Sequence, residues 1–189
     1  MIKQIIGPHI VIRKAKPSDL ESIYYNVYSD ADLLKLMLFR VSPSLEEAKD
    51  RLEKTIKFQS DKDLFFVALK DTDEAIGLCG VIKMDELEGN IYSEGGLAIA
   101  KKYQGRGYAT EMLSMLMDVA FTKYQADAFM YSYFEGNEQS KGLCNHFDFK
   151  FFDTIKQVRP EDKKEFTAIR SLIKKEDYQG INFDYQIIE

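Results

Sequence analysis

The chain has 189 residues, 45% of them apolar, which is the size and content of one domain with a full core. Its 26 Lys and Arg are interspersed with 31 Asp and Glu for a net charge of −5, so no basic face marks a nucleic-acid footprint. Cys79 and Cys144 offer neither a disulfide framework nor a metal motif, and no apolar run marks a membrane span or signal peptide, so a reducing, cytoplasmic setting with no metal is expected.

Ile10-Val11-Ile12-Arg13 reads as the first strand. Ser18, with Glu21 three positions on, has the pattern of a capping box and predicts a first helix near Asp19 to Val27. Tyr28 to Pro43 is irregular and rich in Leu, Met and Phe. Ser44-Leu45-Glu46-Glu47 repeats the capping pattern and opens a helix that carries Leu45, Ala48, Leu52 and Ile56 on one face. Three strands follow as a meander, Leu64 to Lys70, Ala75 to Met84 and Ile91 to Ala100, separated by acidic turns. A helix is predicted from about Gly107 to Lys123, where Ala109, Met112, Leu113, Leu116, Val119 and Ala120 recur at helical spacing. Ala128 to Phe134 is a dense aromatic run too short for a helix and reads as a buried strand. A short helix from Ser140 to Phe147 precedes an antiparallel pair, Lys150 to Val158 and Phe166 to Ile173. No pattern places Lys174 to Glu189.

Gln104-Gly105-Arg106-Gly107-Tyr108-Ala109-Thr110 sits where an alternating apolar segment meets an amphipathic helix. Glycines let the backbone approach a ligand, and the first N–H groups of a helix lack intrahelical partners, so this junction suits a phosphate. The chain has no Walker loop, and Thr110 weakens a dinucleotide fingerprint by standing where a small residue is needed.

Gln104, Gly107 and Ala109 fill Q/R-x-x-G-x-G/A, which resembles the acetyl-CoA pyrophosphate loop of the GCN5-related N-acetyltransferase (GNAT) superfamily. The longer string Tyr103 to Glu111 is similar to that of the ribosomal-protein N-terminal acetyltransferase (RimJ/RimL) branch. Asn137-Glu138-Gln139-Ser140, ending at Phe147-Asp148-Phe149, resembles a second block of the superfamily, with Asp148 where glycine is usual. A left-handed backbone there would accept Asp. Glu94-Gly95-Gly96-Leu97-Ala98-Ile99 is similar to the strand before the loop. The resemblance extends from roughly Ile10 to Tyr178.

The resemblance implies an α/β (α+β) GNAT fold: a central mixed, mostly antiparallel sheet, splayed between its fourth and fifth strands and flanked by helices, in the order β-α-α-β-β-β-α-β-α-β-β. Residues 1–189 would form one such domain, with 174–189 as an extension. It implies acetyl transfer from acetyl-CoA to a primary amine, on a protein N-terminus or a small molecule, by direct attack. The peptide groups of Leu97, Ala98 and Ile99 would pair with the pantetheine arm. Gln104, Gly105, Arg106, Gly107, Tyr108, Ala109 and Thr110 would hold the pyrophosphate. Asn137 would bond the arm, and Ser140 either the departing sulfur or, as a helix cap, the backbone. Glu94 would be the general base, or else a solvated strand residue.

Many members carry a tyrosine acid seven positions after the residue matching Asn137; here that position is Cys144. Ser140, Cys144 or water is then left as proton donor, and a non-catalytic acyl-CoA-binding or sensor module is the alternative. Cys144 as a nucleophile lacks a triad context in His9 or His146. Tyr24, Tyr25, Tyr28, Tyr131 and Tyr133 are candidates to line the acceptor pocket, and Tyr28 to Pro43 with the terminal strand pair to select the acceptor. No nucleic-acid or membrane partner is expected, and the chain would be a monomer or a homodimer joined through strand edges.

Overall fold

A computed structural model describes residues 1–189. Strands β1 (Gln4–Ile6) and β2 (Ile10–Arg13) form a hairpin that leads into helix α1 (Leu20–Ile23). This helix is entered through a 3-10 turn, Pro17–Asp19, and leaves through a π turn, Tyr24–Tyr28. Its start is set by Asp19 rather than by Ser18 and Glu21, which are both exposed. The Asp19 carboxylate accepts the Lys16 N–H at 2.8 Å and also both ends of the buried Arg13 guanidinium, at 2.8 and 2.9 Å. Pro17 suits the first helical position because its missing N–H would have no partner there.

Next come α2 (Ala31–Leu34), inside the segment read as irregular, and α3 (Leu45–Phe58). Ser44 caps α3 as expected, its hydroxyl accepting the Glu47 N–H at 3.2 Å, a contact that contributes about 1 kcal/mol. Ala48 and Leu52 are buried, but Leu45 is exposed. Strands β3 (Leu64–Leu69), β4 (Ala75–Gly80), β5 (Ile82–Lys83), β6 (Ile91–Ser93) and β7 (Ala98–Ile99) lead to helix α4 (Tyr108–Asp118). Then follow β8 (Ala128–Phe134), α5 (Glu138–His146), β9 (Lys150–Val158), β10 (Glu165–Lys174) and β11 (Gln186–Ile188).

The strands form two halves, ordered β11-β1-β2-β3-β4-β7 and β5-β6-β8-β10-β9, and every pairing is antiparallel except β6 with β8. The long strands expected at Ala75 to Met84 and Ile91 to Ala100 are each broken and shared between the halves. β4 and β7 belong to one half; β5 and β6 belong to the other. Periodicity does not reveal such a break, because the side chains keep alternating while the partner strand changes. Gly95 and Gly96 make the second break possible, with φ of +64° and +87°, a region that residues with a Cβ rarely adopt. β6 follows β8 as far as Ser93 opposite Met130, after which β7 departs with β4. The splay therefore opens beside Glu94 and Tyr131.

Helices cover both faces of the six-stranded half. Phe65 and Val67 of β3 belong to the cluster that holds Met112, Leu113 and Leu116 of α4, while Phe66 between them packs with Ile23 of α1, Val27 of the π turn and Leu52 of α3. The carboxyl-terminal residues, unplaced by sequence, close over α4. Tyr178 stacks on Phe121 at 4.6 Å, and the Tyr178 and Tyr185 hydroxyls donate to Asp118 at 2.9 and 2.6 Å. Hydrogen bonds to a charged group contribute roughly 1.5–3 kcal/mol each. β11 then pairs with β1, Gln4 opposite Ile188, covering an edge that would otherwise be open. No helix is long and apolar enough to cross a membrane.

Candidate active site

The turn from β7 into α4 carries a row of unused donors. The N–H groups of residues 105–110 make no hydrogen bond within the chain; the first to do so is that of Glu111, to Gly107. They gather at the positive end of an 11-residue helix, whose cap, Gly107, has φ of +83° and open space where a Cβ would stand. Two cations before the loop are already engaged, Lys101 with Asp32 at 2.7 Å and Lys102 with Glu74 at 3.1 Å, while Arg106 within it forms no ion pair. Backbone donors are therefore the polar groups that the loop turns toward an anion without a partner of their own. The Gln104 amide donates to the Ile99 carbonyl at 2.8 Å, which braces the loop against β7.

A cavity of about 530 Å³ runs from this loop into the splay, lined by Ala98, Ile99, Gly105, Gly107, Thr110 and Asn137 among others. A second cavity, of about 390 Å³, opens on the opposite side against Glu94, Tyr133 and Phe134. Leu97, Tyr131, Asn137 and Ser140 line both, so the two are mouths of one cleft.

Glu94 is 5% exposed, and its Oε2 has no hydrogen-bond partner. Burial pushes its carboxyl up to about 7, against the pull of the N–H groups of Glu94 and Ser132. The Tyr131 hydroxyl, also buried, lies 2.5 Å from the Ser140 hydroxyl, and its own ionisation is pushed up by burial and by the Glu94 charge. A buried carboxylate with one unpartnered oxygen and a hydrogen-bonded pair of hydroxyls therefore border the same gap.

A family model described as an acetyltransferase (GNAT) domain matches residues 9–150. The chain belongs to the GNAT acetyltransferase family. An uncharacterised N-acetyltransferase of Bacillus licheniformis is 22% identical over 173 residues, covering 90% of this chain and 96% of its own. The GNAT acetyltransferase of Bacillus anthracis superposes with a TM-score of 0.75 at 19% identity, covering 92% of this chain and 99% of its own. The ribosomal-protein-S5-alanine acetyltransferase of Vibrio fischeri superposes with a TM-score of 0.69 at 19% identity, covering 90% and 96%. Members of the GNAT family use acetyl-CoA, so the chain is an acetyl-CoA-dependent acetyltransferase.

Most of the GNAT residues singled out by sequence come together at this cleft. Leu97, Ala98, Ile99, Gln104, Gly105, Gly107, Tyr108, Ala109, Thr110, Asn137 and Ser140 line the larger mouth, and Glu94 lines the smaller. Arg106 is exposed and borders neither, its guanidinium lying 5.5 Å from the Tyr103 ring. Ser140 is not the cap of α5: Asn137 is, accepting the Ser140 N–H at 3.1 Å, which frees the Ser140 hydroxyl for Tyr131. Glu94 is not a solvated strand residue. Cys144 is buried, and burial pushes its thiol up, which opposes nucleophilic use. Asp148 has φ of +58°, the left-handed backbone its place in the motif required.

Of the five candidate tyrosines, only Tyr131 and Tyr133 reach the cleft. Tyr28 packs on Phe66 and under Arg51, and Tyr25 is 69% exposed. Arg159 was invisible to sequence reading. From the β9–β10 turn its buried guanidinium donates to the carbonyls of Leu34, Lys35 and Met37, at 3.3, 3.1 and 3.1 Å. It fixes the segment after α2, whose Leu36 and Met37 wall both mouths.

Proposed function

We propose that the cleft transfers the acetyl group of acetyl-CoA to a primary amine, on a protein N-terminus or a small molecule, by direct attack. The observation that carries this reading is the shared lining: the mouth with free N–H donors and the mouth with the buried carboxylate meet at Tyr131, Asn137 and Ser140. The donor set fits the cosubstrate. Six unpartnered N–H groups suit a pyrophosphate, the space beside Gly107 leaves it room, and β7 has β4 as its only strand partner, leaving its other edge toward the gap. When bound, acetyl-CoA supplies a thioester whose acetyl carbon accepts the amine and whose sulfur leaves.

Glu94 takes a proton from the incoming ammonium, its raised ionisation range keeping it an effective base near neutrality. As the new C–N bond forms and the C–S bond breaks, the Ser140 and Tyr131 hydroxyl pair gives a proton to the sulfur. The acylated nitrogen loses its second proton to solvent, the proton on Glu94 restores the hydroxyl pair by way of solvent, and the net release is one proton per turnover. The enzyme forms no covalent bond of its own. Resemblance to the ribosomal-protein branch in residues 103–111 favours a peptide α-amine. Residues 1–189 act as one catalytic unit in this reading.

Calorimetric titration with acetyl-CoA, CoA and NAD in parallel tests the cosubstrate. Binding of both CoA species and not NAD is expected; failure of CoA to bind would remove the proposal.

A further inference from the structure

The acceptor side of the cleft carries an unusual charge pattern. Glu94 is the single carboxylate lining the smaller cavity, and no Lys, Arg or His lines it. Its walls are made chiefly by Leu36, Met37, Phe39, Ile82, Met84 and Phe134. The Glu94 Oε2 is buried and has no hydrogen-bond partner, so the one carboxylate of this wall is left without a matching donor by the chain itself. One buried carboxylate can neutralise one ammonium, after which the remaining surface offers hydroxyls, amides and apolar groups. A second ammonium on the acceptor would be desolvated without a counter-charge. An acceptor carboxylate near the amine would be desolvated beside Glu94 with no cation to pair it.

Resting on the acetyltransferase reading of the cleft, we infer that the acceptor is a monoamine whose remaining body, within a cavity of about 390 Å³, is uncharged and largely apolar. Polyamines and free anionic amino acids are excluded by the same lining that admits such an amine. A small apolar amine and a peptide N-terminus with uncharged leading residues share this chemistry, and the test separates them.

Thiol release would be measured with wild-type protein at saturating acetyl-CoA against two matched series. One comprises hexylamine, the terminal diamine of equal length and the terminal amino acid of equal length, whose amines have similar basicity. The other comprises leucyl-leucinamide, leucyl-lysinamide and the α-amide of leucyl-glutamic acid, whose side-chain acid is left free. In whichever series turns over, the uncharged member should lead in kcat/KM by roughly 10- to 100-fold, the discrimination typical of an uncompensated charge. The active series identifies the source. A Met84→Glu variant, which adds a second carboxylate to the wall, should move kcat/KM toward the diamine or the lysinamide by about tenfold. Equal kcat/KM across a series, or a lead for a charged member, would overturn the inference and leave the acetyltransferase reading intact. No thiol release with any member, while acetyl-CoA still binds, would overturn the inference, and failure of acetyl-CoA to bind would overturn the reading of the cleft beneath it.

Discussion

At the larger mouth of the cleft the working polar groups are peptide N–H donors of residues 105–110; at the smaller mouth they are side chains, the Glu94 carboxylate and the Tyr131 and Ser140 hydroxyls. The first depends on backbone shape, so it tolerates side-chain change except where a glycine sets that shape. The second depends on individual atoms brought from the residue after β6, from β8 and from α5, and each is open to single substitution. Binding of the cosubstrate and turnover of the acceptor should therefore separate under mutation.

The largest separation is expected for Glu94→Gln. Loss of the base should lower kcat by about 10²- to 10⁴-fold while acetyl-CoA affinity, read by calorimetry, stays unchanged. The same substitution should alter stability in the opposite sense. The folded carboxyl ionises near 7 against an ordinary 4.5, so between these values the folded chain holds a proton that the unfolded chain has lost. Stability then falls as pH rises through that window and stays low above it, by up to about 3 kcal/mol. Chemical denaturation should find Glu94→Gln more stable than wild type at pH 8, with the advantage gone at pH 4.

At the other mouth, Gly107→Val should weaken acetyl-CoA by at least about tenfold, because a β-branched residue resists a φ of +83° and its side chain fills the open space. An unchanged calorimetric Kd would mean that the loop is not the anion site. Tyr131→Phe removes one hydroxyl of the donating pair and should lower kcat by roughly tenfold with little change in either KM, a smaller loss than at Glu94 because Ser140 remains. Smallest for catalysis is Tyr185→Phe, far from both mouths. It should cost about 1.5–3 kcal/mol in denaturant unfolding through the lost bond to Asp118 and leave kcat/KM unchanged.

The same contrast governs what the sequence disclosed. The loop at Gln104 to Thr110 was legible because glycine spacing records a backbone requirement locally, and the Ser44 cap was legible for the same reason. At the smaller mouth the residues Glu94, Ser140, Tyr131 and Tyr133 were named, but not their arrangement. Tyr131 sits in an aromatic strand where core and cleft residues look alike, and its place beside Glu94 depends on a parallel pairing across more than thirty positions. The breaks at Val81 and after Ser93 escaped notice because alternation reports a buried face and not the strand that shares it. β1 and β11 were missed for a related reason: three-residue strands at opposite ends of the chain carry too little pattern to be recognised apart from each other.

The central claim is that Glu94 works as the base from the acceptor side of a cleft shared with acetyl-CoA. Its most direct test is the pH dependence of kcat/KM for amine acetylation in wild type and in Glu94→Gln. The wild-type profile should rise with pH and break near 7, where Glu94 becomes ionised, and the variant should lack that break. The same break in both proteins would assign the ionisation to another group and contradict the mechanism.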